Sequence, residues 1–326
     1  MDLLKKLTEI DAPAGREFVA HEFIKAEAEK LGYEVTTDAL GSVIAHKKGN
    51  GKKLMIAAHI DEIGIIANYI DENGFIHFGR LGYLHQKDLN NRRVRFANGT
   101  VGVIGANEEK YEEKQDISNM FIDIGANTRE EAEKFVKAGD TAVFEGSFMT
   151  VGDTIISRAL DDRLGCYILF KAMEEVKDSK NDLYFVFTAQ EETGMRGAKT
   201  STYTIMPDYG IAVDVTTSFD TPGSAPSDVK LGSGAAINNK DHFVICDRDV
   251  IKTLRNLAEE NSIPYTNIVK SEGGNDGGAI ALTGGGVKAG GICVPLRYMH
   301  SASEMVRKTD IDACTKLLIA ACRYEW

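Results

Sequence analysis

The chain of 326 residues contains no apolar run of about eighteen residues, the length at which a stretch becomes a candidate membrane span. Its start, Met1-Asp2-Leu3-Leu4-Lys5-Lys6, turns polar at once and offers no apolar stretch of a secretion signal. Cysteine is sparse: Cys166, Cys246, Cys293, Cys314 and Cys322 are scattered, odd in number and never spaced C-x-x-C. That pattern argues against a disulfide framework and predicts reduced thiols in a cytoplasmic protein. Positive charge is in deficit, with 38 Lys and Arg against 49 Asp and Glu and a formal charge of −11. Such a balance disfavours nucleic acid and anionic membrane as main partners. No internal repeat or low-complexity tract interrupts the chain, and the glycine-rich run from Gly273 to Gly278 lacks the lysine of a phosphate loop. What is present is ordinary for a globular protein, 43% apolar and 27% charged, and long enough for about two domains.

Two α/β stretches flank a block of different texture. Residues 17–31 place Ala20, Phe23, Ile24, Ala28 and Leu31 near helical spacing, with Gly32 as the stop. Residues 34–37 and 42–46 predict strands around a glycine turn, and Asn50-Gly51 is a hairpin signal. A short apolar strand over 53–58 then ends at His59-Ile60-Asp61-Glu62. From about 66 to 154, short strands alternate with turns at Asp71-Glu72-Asn73-Gly74, at Asn98-Gly99 and in a charged loop over 107–116. One helix in this block has Thr128 as cap, Glu131 completing a capping box and Gly139 as its end. The block predicts a β-rich domain, 66–154, inserted into an α/β domain built from 1–65 and 155–326. Beyond it come a helix over 164–176, a buried strand from Leu183, a strand over 209–213 ending at Asp214, and an amphipathic helix over 248–260. A strand over 287–294 and a last helix over 311–322 follow.

The chemistry collects where strands stop. Residues 183–194 read Leu-Tyr-Phe-Val-Phe-Thr-Ala-Gln-Glu-Glu-Thr-Gly, an apolar strand that ends at two carboxylates. Open α/β sheets bind ligands at the carboxyl ends of their strands. Adjacent residues point different ways, so one of Glu191 and Glu192 can hold a metal while the other handles a proton. The same arrangement recurs at His59 with Asp61, at Asp161 with Asp162, at Asp214 and at His300. Imidazole and carboxylate together suit zinc, cobalt or manganese. No one of these places carries three donors, so a metal centre would be assembled from several strand ends. Asp61, two residues beyond His59, is spaced to hold the second ring nitrogen of His59 and set its tautomer. Taken singly, each place has a plainer explanation: a satisfied core histidine, a helix N-terminal acid pair, a solvated acidic loop. His21, His46, His77, His85 and His242 lack a comparable setting.

Five segments, in order, closely resemble the tetrahedral aminopeptidase family, which includes glutamyl and deblocking aminopeptidases and some members labelled cellulase. They are Ala57-Ala58-His59-Ile60-Asp61-Glu62, Ala159-Leu160-Asp161-Asp162-Arg163, Gln190-Glu191-Glu192-Thr193-Gly194, Ala212-Val213-Asp214-Val215 and Arg297-Tyr298-Met299-His300-Ser301. The likeness runs over nearly the whole chain, with one departure: Gly273-Gly274-Asn275-Asp276 stands where Gly-Gly-Thr-Asp is expected. The resemblance implies an α/β fold with a mixed sheet flanked by helices and an inserted β-rich dimerisation domain. It implies two divalent metal ions per subunit, zinc or cobalt first and manganese next. Asp161 would bridge them, His59 and Asp214 would complete one site, and Glu192 and His300 the other. Glu191 would be general base and acid, and Asp61 would orient His59. The implied activity is release of the N-terminal residue from short peptides, by homo-oligomers in which dimers assemble to a dodecamer.

Three other functions stay open at this point. A metal-dependent deacylase or amidase differs in accepting blocked N-termini. A glycoside hydrolase would use two carboxylates such as Glu191 and Asp161 as acid and base, without metal, and would survive a chelator. A non-catalytic binding protein on the same scaffold would have no need of all five metal donors together with Glu191.

Overall fold

The computed structural model describes residues 1–107 and 116–326. Among them no helix is long and apolar enough to cross a membrane. Helices α1 (Asp2–Glu9) and α2 (Phe18–Lys30) lead into strands β1 (Glu34–Thr37), β2 (Val43–Lys47) and β3 (Lys53–His59). Six strands then close a barrel: β4 (Gly64–Ile70), β5 (Ile76–Leu81), β6 (Arg93–Phe96), β7 (Val101–Ala106), β8 (Met120–Asp123) and β9 (Thr141–Phe144). The short helix α3 (Arg129–Ala132) lies between β8 and β9. Strands β10 (Met149–Val151) and β11 (Thr154–Ser157) carry the chain to helix α4 (Leu160–Glu175).

The second half alternates strand and helix: β12 (Asp182–Thr188), α5 (Arg196–Ile205), β13 (Tyr209–Thr217), β14 (Ala235–Lys240), α6 (Arg248–Glu260), β15 (Tyr265–Val269), α7 (Gly277–Ala281) and β16 (Lys288–Leu296). Strand β17 (Glu304–Arg307) and helix α8 (Lys308–Arg323) finish the chain. Eight strands form a mixed sheet in the order β1-β2-β12-β3-β13-β16-β14-β15. Its four central strands, β12, β3, β13 and β16, run parallel. Their residues are apolar on both faces because helices cover both sides. The barrel buries a separate apolar cluster around Ile65, Phe78, Val94, Ile104 and Ile122.

Most expected elements form, with physical reasons where they differ. Asn50-Gly51 makes no hairpin, because β2 and β3 flank β12 on opposite sides; the Asn50 and Gly51 amides donate to the Lys180 carbonyl instead. The capped helix after Thr128 is a single turn. Thr128 Oγ1 accepts from the Glu131 amide, but Glu131 Oε2 takes the Asn127 amide and not that of Thr128. Strand β13 runs on past Asp214 to Thr217, held through Leu296 by β16. Most of the charged loop expected over 107–116 lies outside the described residues. The glycine-rich run is close packing, as its lack of lysine suggests: a Cβ on Gly274 would stand 2.2 Å from the Phe243 ring.

Candidate metal centre

Because the four central strands are parallel, their carboxyl ends share one edge. His59 ends β3, Glu191 and Glu192 follow β12, and Asp214 lies near the end of β13. His300 sits in the loop between β16 and β17, and Asp161 enters from the first turn of α4, next to a cis Asp161–Asp162 peptide. Residues up to 241 positions apart therefore converge, by the span from His59 to His300.

Asp161 stands at the centre. Its Oδ1 lies 3.0 Å from His59 Nε2 and its Oδ2 3.1 Å from His300 Nε2. Asp214 Oδ1 is 4.0 Å from His59 Nε2, and Glu192 Oε1 is 3.5 Å from His300 Nε2. Two donor triads result, His59–Asp161–Asp214 and Asp161–Glu192–His300, each with its donor atoms within 4.8 Å of one another, sharing the one carboxylate.

The electrostatics of this cluster are those of a cation site. Burial pushes the Asp214 carboxyl up to about 8 and that of Glu192 up to about 7, with the charge of Asp161 adding to both. Burial also raises Glu191 far above the usual carboxylate range, helped by Asp276, Asp214 and Glu192. Against burial, the Glu192 and Asp161 carboxylates hold His300 up at about 10. Glu192 Oε1 is buried without a hydrogen-bond partner. Crowded acids that resist ionisation, and an orphaned carboxylate oxygen among them, are what a bound divalent cation would resolve. The N/O donor set fits zinc, cobalt or manganese.

The surroundings orient these groups, partly by unexpected routes. His59 Nδ1 lies 3.0 Å from the backbone carbonyl of Asp61 and 3.5 Å from its Oδ1. The carbonyl, an acceptor only, calls for a proton on Nδ1 and turns Nε2 toward the triad. The Asp61 carboxylate does other work: Oδ1 accepts the Glu191 amide at 2.9 Å and Oδ2 the Glu192 amide at 3.1 Å. Asp61 thus contacts the β12 exit loop as well as His59.

Residues 41–317 match the family model described as M42 glutamyl aminopeptidase. The chain belongs to this family. It is 48% identical over 322 residues to a relative from Acetivibrio thermocellus, covering 98% of this chain and 97% of that one. Among solved structures it is similar to an aminopeptidase from Desulfurococcus kamchatkensis, with TM-score 0.94, 37% identity and coverage of 99% and 94%. It is also similar to the TET1 peptidase of Pyrococcus horikoshii, described as assembling into a tetrahedron or a large octahedral shell, with TM-score 0.88, 32% identity and coverage of 100% and 99%.

The contacts of several residues of this M42 chain escape a sequence reading. Asp162 turns away from the triads and accepts the His59 amide at 3.3 Å and the Gly165 amide at 2.9 Å. Asp276, 3% exposed, accepts from Thr188 Oγ1 at 2.5 Å and keeps its other oxygen unpaired. Glu304, 1% exposed, accepts the backbone amides of Asp161 and His300. Asp162 stands beside Asp161 among the sequence candidates and Asp276 in a segment compared with the family, but Glu304 looks like an ordinary acid in the sequence, and only its buried setting beside the donors marks it. The histidines without an acid-rich setting stay out of the triads; His46, for example, pairs with Asp182 at 2.8 Å and stacks on Tyr184.

Proposed function

We propose that this metal-dependent aminopeptidase is dinuclear and releases the N-terminal residue of short peptides, with Glu191 as general base and acid. The observation that carries the reading is the pair of donor triads meeting at Asp161 on the carboxyl edge of the sheet. His59, Asp161 and Asp214 would hold one divalent ion, and Asp161, Glu192 and His300 the other, with zinc or cobalt the best fit and manganese also suited. Bound there, such ions supply a lowered pKa for a coordinated water and polarisation of the scissile carbonyl. Glu191 stands outside both triads, next in sequence to Glu192, and its raised proton affinity suits a group that must gain a proton and return it. It takes a proton from the attacking water and delivers it to the leaving amine. Asp61, through both carboxylate oxygens, keeps the Glu191 and Glu192 backbone in register for these separate tasks.

The same reading takes residues 66–154 as an inserted dimerisation domain between catalytic segments 1–65 and 155–326. Dimers would assemble to a dodecamer, as the likeness to the PhTET1-12s structure, solved as a dodecamer, supports. Five free, buried cysteines suit a reducing cytoplasm. The test is a panel of aminoacyl chromogenic substrates, free and N-acylated, run before and after chelation. We expect hydrolysis of free N-termini only, lost with chelator and restored by zinc or cobalt. Cleavage of blocked substrates would make the protein a deacylase, and activity resistant to chelation would overturn the metal reading.

A further inference from the structure

We infer that Glu304 is a positioning residue that clamps the Asp161–Glu192–His300 triad, so that its loss weakens one metal site and largely spares the other. The inference rests on the dinuclear reading above. Glu304 opens β17, and its register partner across the strand pair is Ser157, at the end of β11. The two chains leaving that pair carry the donors: β11 runs on through Ala159 to Asp161, and the loop before β17 holds His300. Glu304 closes the gap between them with its side chain. Oε2 accepts the Asp161 amide at 3.1 Å and Oε1 the His300 amide at 2.9 Å.

Both chains need holding. His300 has φ +61°, and Tyr298 and Ala159 have φ +58° and +51°, conformations that residues with side chains adopt only when their surroundings impose them. The Arg297–Met305 bridge closes the base of the His300 loop, and Glu304 fastens its tip from inside. Glu304 is 1% exposed, so water cannot replace it on either amide. The asymmetry follows from which donors are held. Two of the three residues of the Asp161–Glu192–His300 triad have their backbones fixed by Glu304. The His59–Asp161–Asp214 triad has only Asp161, whose position is also set by its own strand-to-helix connection.

A glutamine at 304 presents one oxygen and one NH2 group, so it can accept one amide and must oppose the other. The test is equilibrium dialysis of the full-length wild type and Glu304→Gln against buffered free cobalt, with metal content from elemental analysis and thermal unfolding of both metal-free proteins. Wild type should bind two equivalents. Glu304→Gln should bind one with near wild-type affinity and the second roughly 10–100-fold more weakly, the range found when groups that orient metal ligands are removed. Unchanged affinity at both sites, or equal weakening of both, would overturn the clamp. Should the Gln variant not fold, Glu304→Asp, which keeps the charge but cannot span both amides, must show the same one-site loss or the clamp fails. A wild type that binds fewer than two ions would instead overturn the dinuclear reading and leave the two amide contacts as fold anchors.

Discussion

Neighbouring glutamates can be given different tasks because a turn aims them apart. Glu192 belongs to a candidate donor triad, while Glu191 lies outside both triads and is pushed toward the protonated form chiefly by burial. On the proposed reading, replacing Glu191 by Gln would remove the proton carrier and leave the five proposed donors in place. We expect kcat to fall roughly 10²–10⁴-fold, the usual scale of general acid–base catalysis, with metal content by elemental analysis unchanged. Replacing His300 by Ala should act the other way round, lowering the metal content of dialysed protein by up to one equivalent. A His300→Ala protein that still binds two equivalents would remove His300 from the donor set.

At the scale of elements, the edge of the barrel touches the candidate metal centre. Gly82 follows β5 with φ +84°, and a Cβ there would stand 2.8 Å from Glu192 Oε2 and 2.9 Å from Ile63 Cγ2. Only glycine meets both demands, the left-handed backbone and the close approach. Gly82→Ala should cost about 1–2 kcal/mol of stability from backbone strain, read by urea unfolding, and should lower metal affinity by displacing Glu192. Unchanged metal content would show that the barrel edge does not constrain Glu192. A second element-scale prediction concerns α6, whose cap Asp247 accepts the Asp249 amide at 2.9 Å and the Val250 amide at 3.1 Å. Asp247→Ala should destabilise the fold by about 1 kcal/mol in the same assay, with the metal site unaffected.

For the whole molecule, acid stability has a contributor outside both donor triads. His21 on α2 is buried against Gly41, its Nε2 has no hydrogen-bond partner, and burial pulls its pKa down to about 4 from an ordinary 6.5. The unfolded chain therefore binds a proton between these values that the folded chain refuses. Its contribution is intact above about pH 6.5, declines as pH falls toward 4, and is constant below that. The urea midpoint should drop across this window, and His21→Gln should flatten that part of the profile. A profile identical to wild type would assign acid lability to other groups.

What could be read along the chain was what depends on near neighbours. Apolar runs marked β3, β12, β13 and β16, helical spacing marked α2 and α6, and the ends of apolar runs at His59, at Glu191 with Glu192 and at Asp214 marked candidate metal donors and proton carriers. The resemblance ordered those donors into roles. Strand pairing lay beyond a local reading, since β2 and β3 are joined by an Asn-Gly turn yet flank β12. So did the partners of each buried acid. Whether Asp61, Asp162 or Glu304 meets a ring nitrogen or a backbone amide depends on groups between two and 143 positions away. Local sequence determined which residues were candidates for the chemistry, because side-chain type and periodicity are properties of the segment itself. Only the tertiary structure decided what each one touches, because burial and hydrogen-bond partners exist only once distant strands have paired.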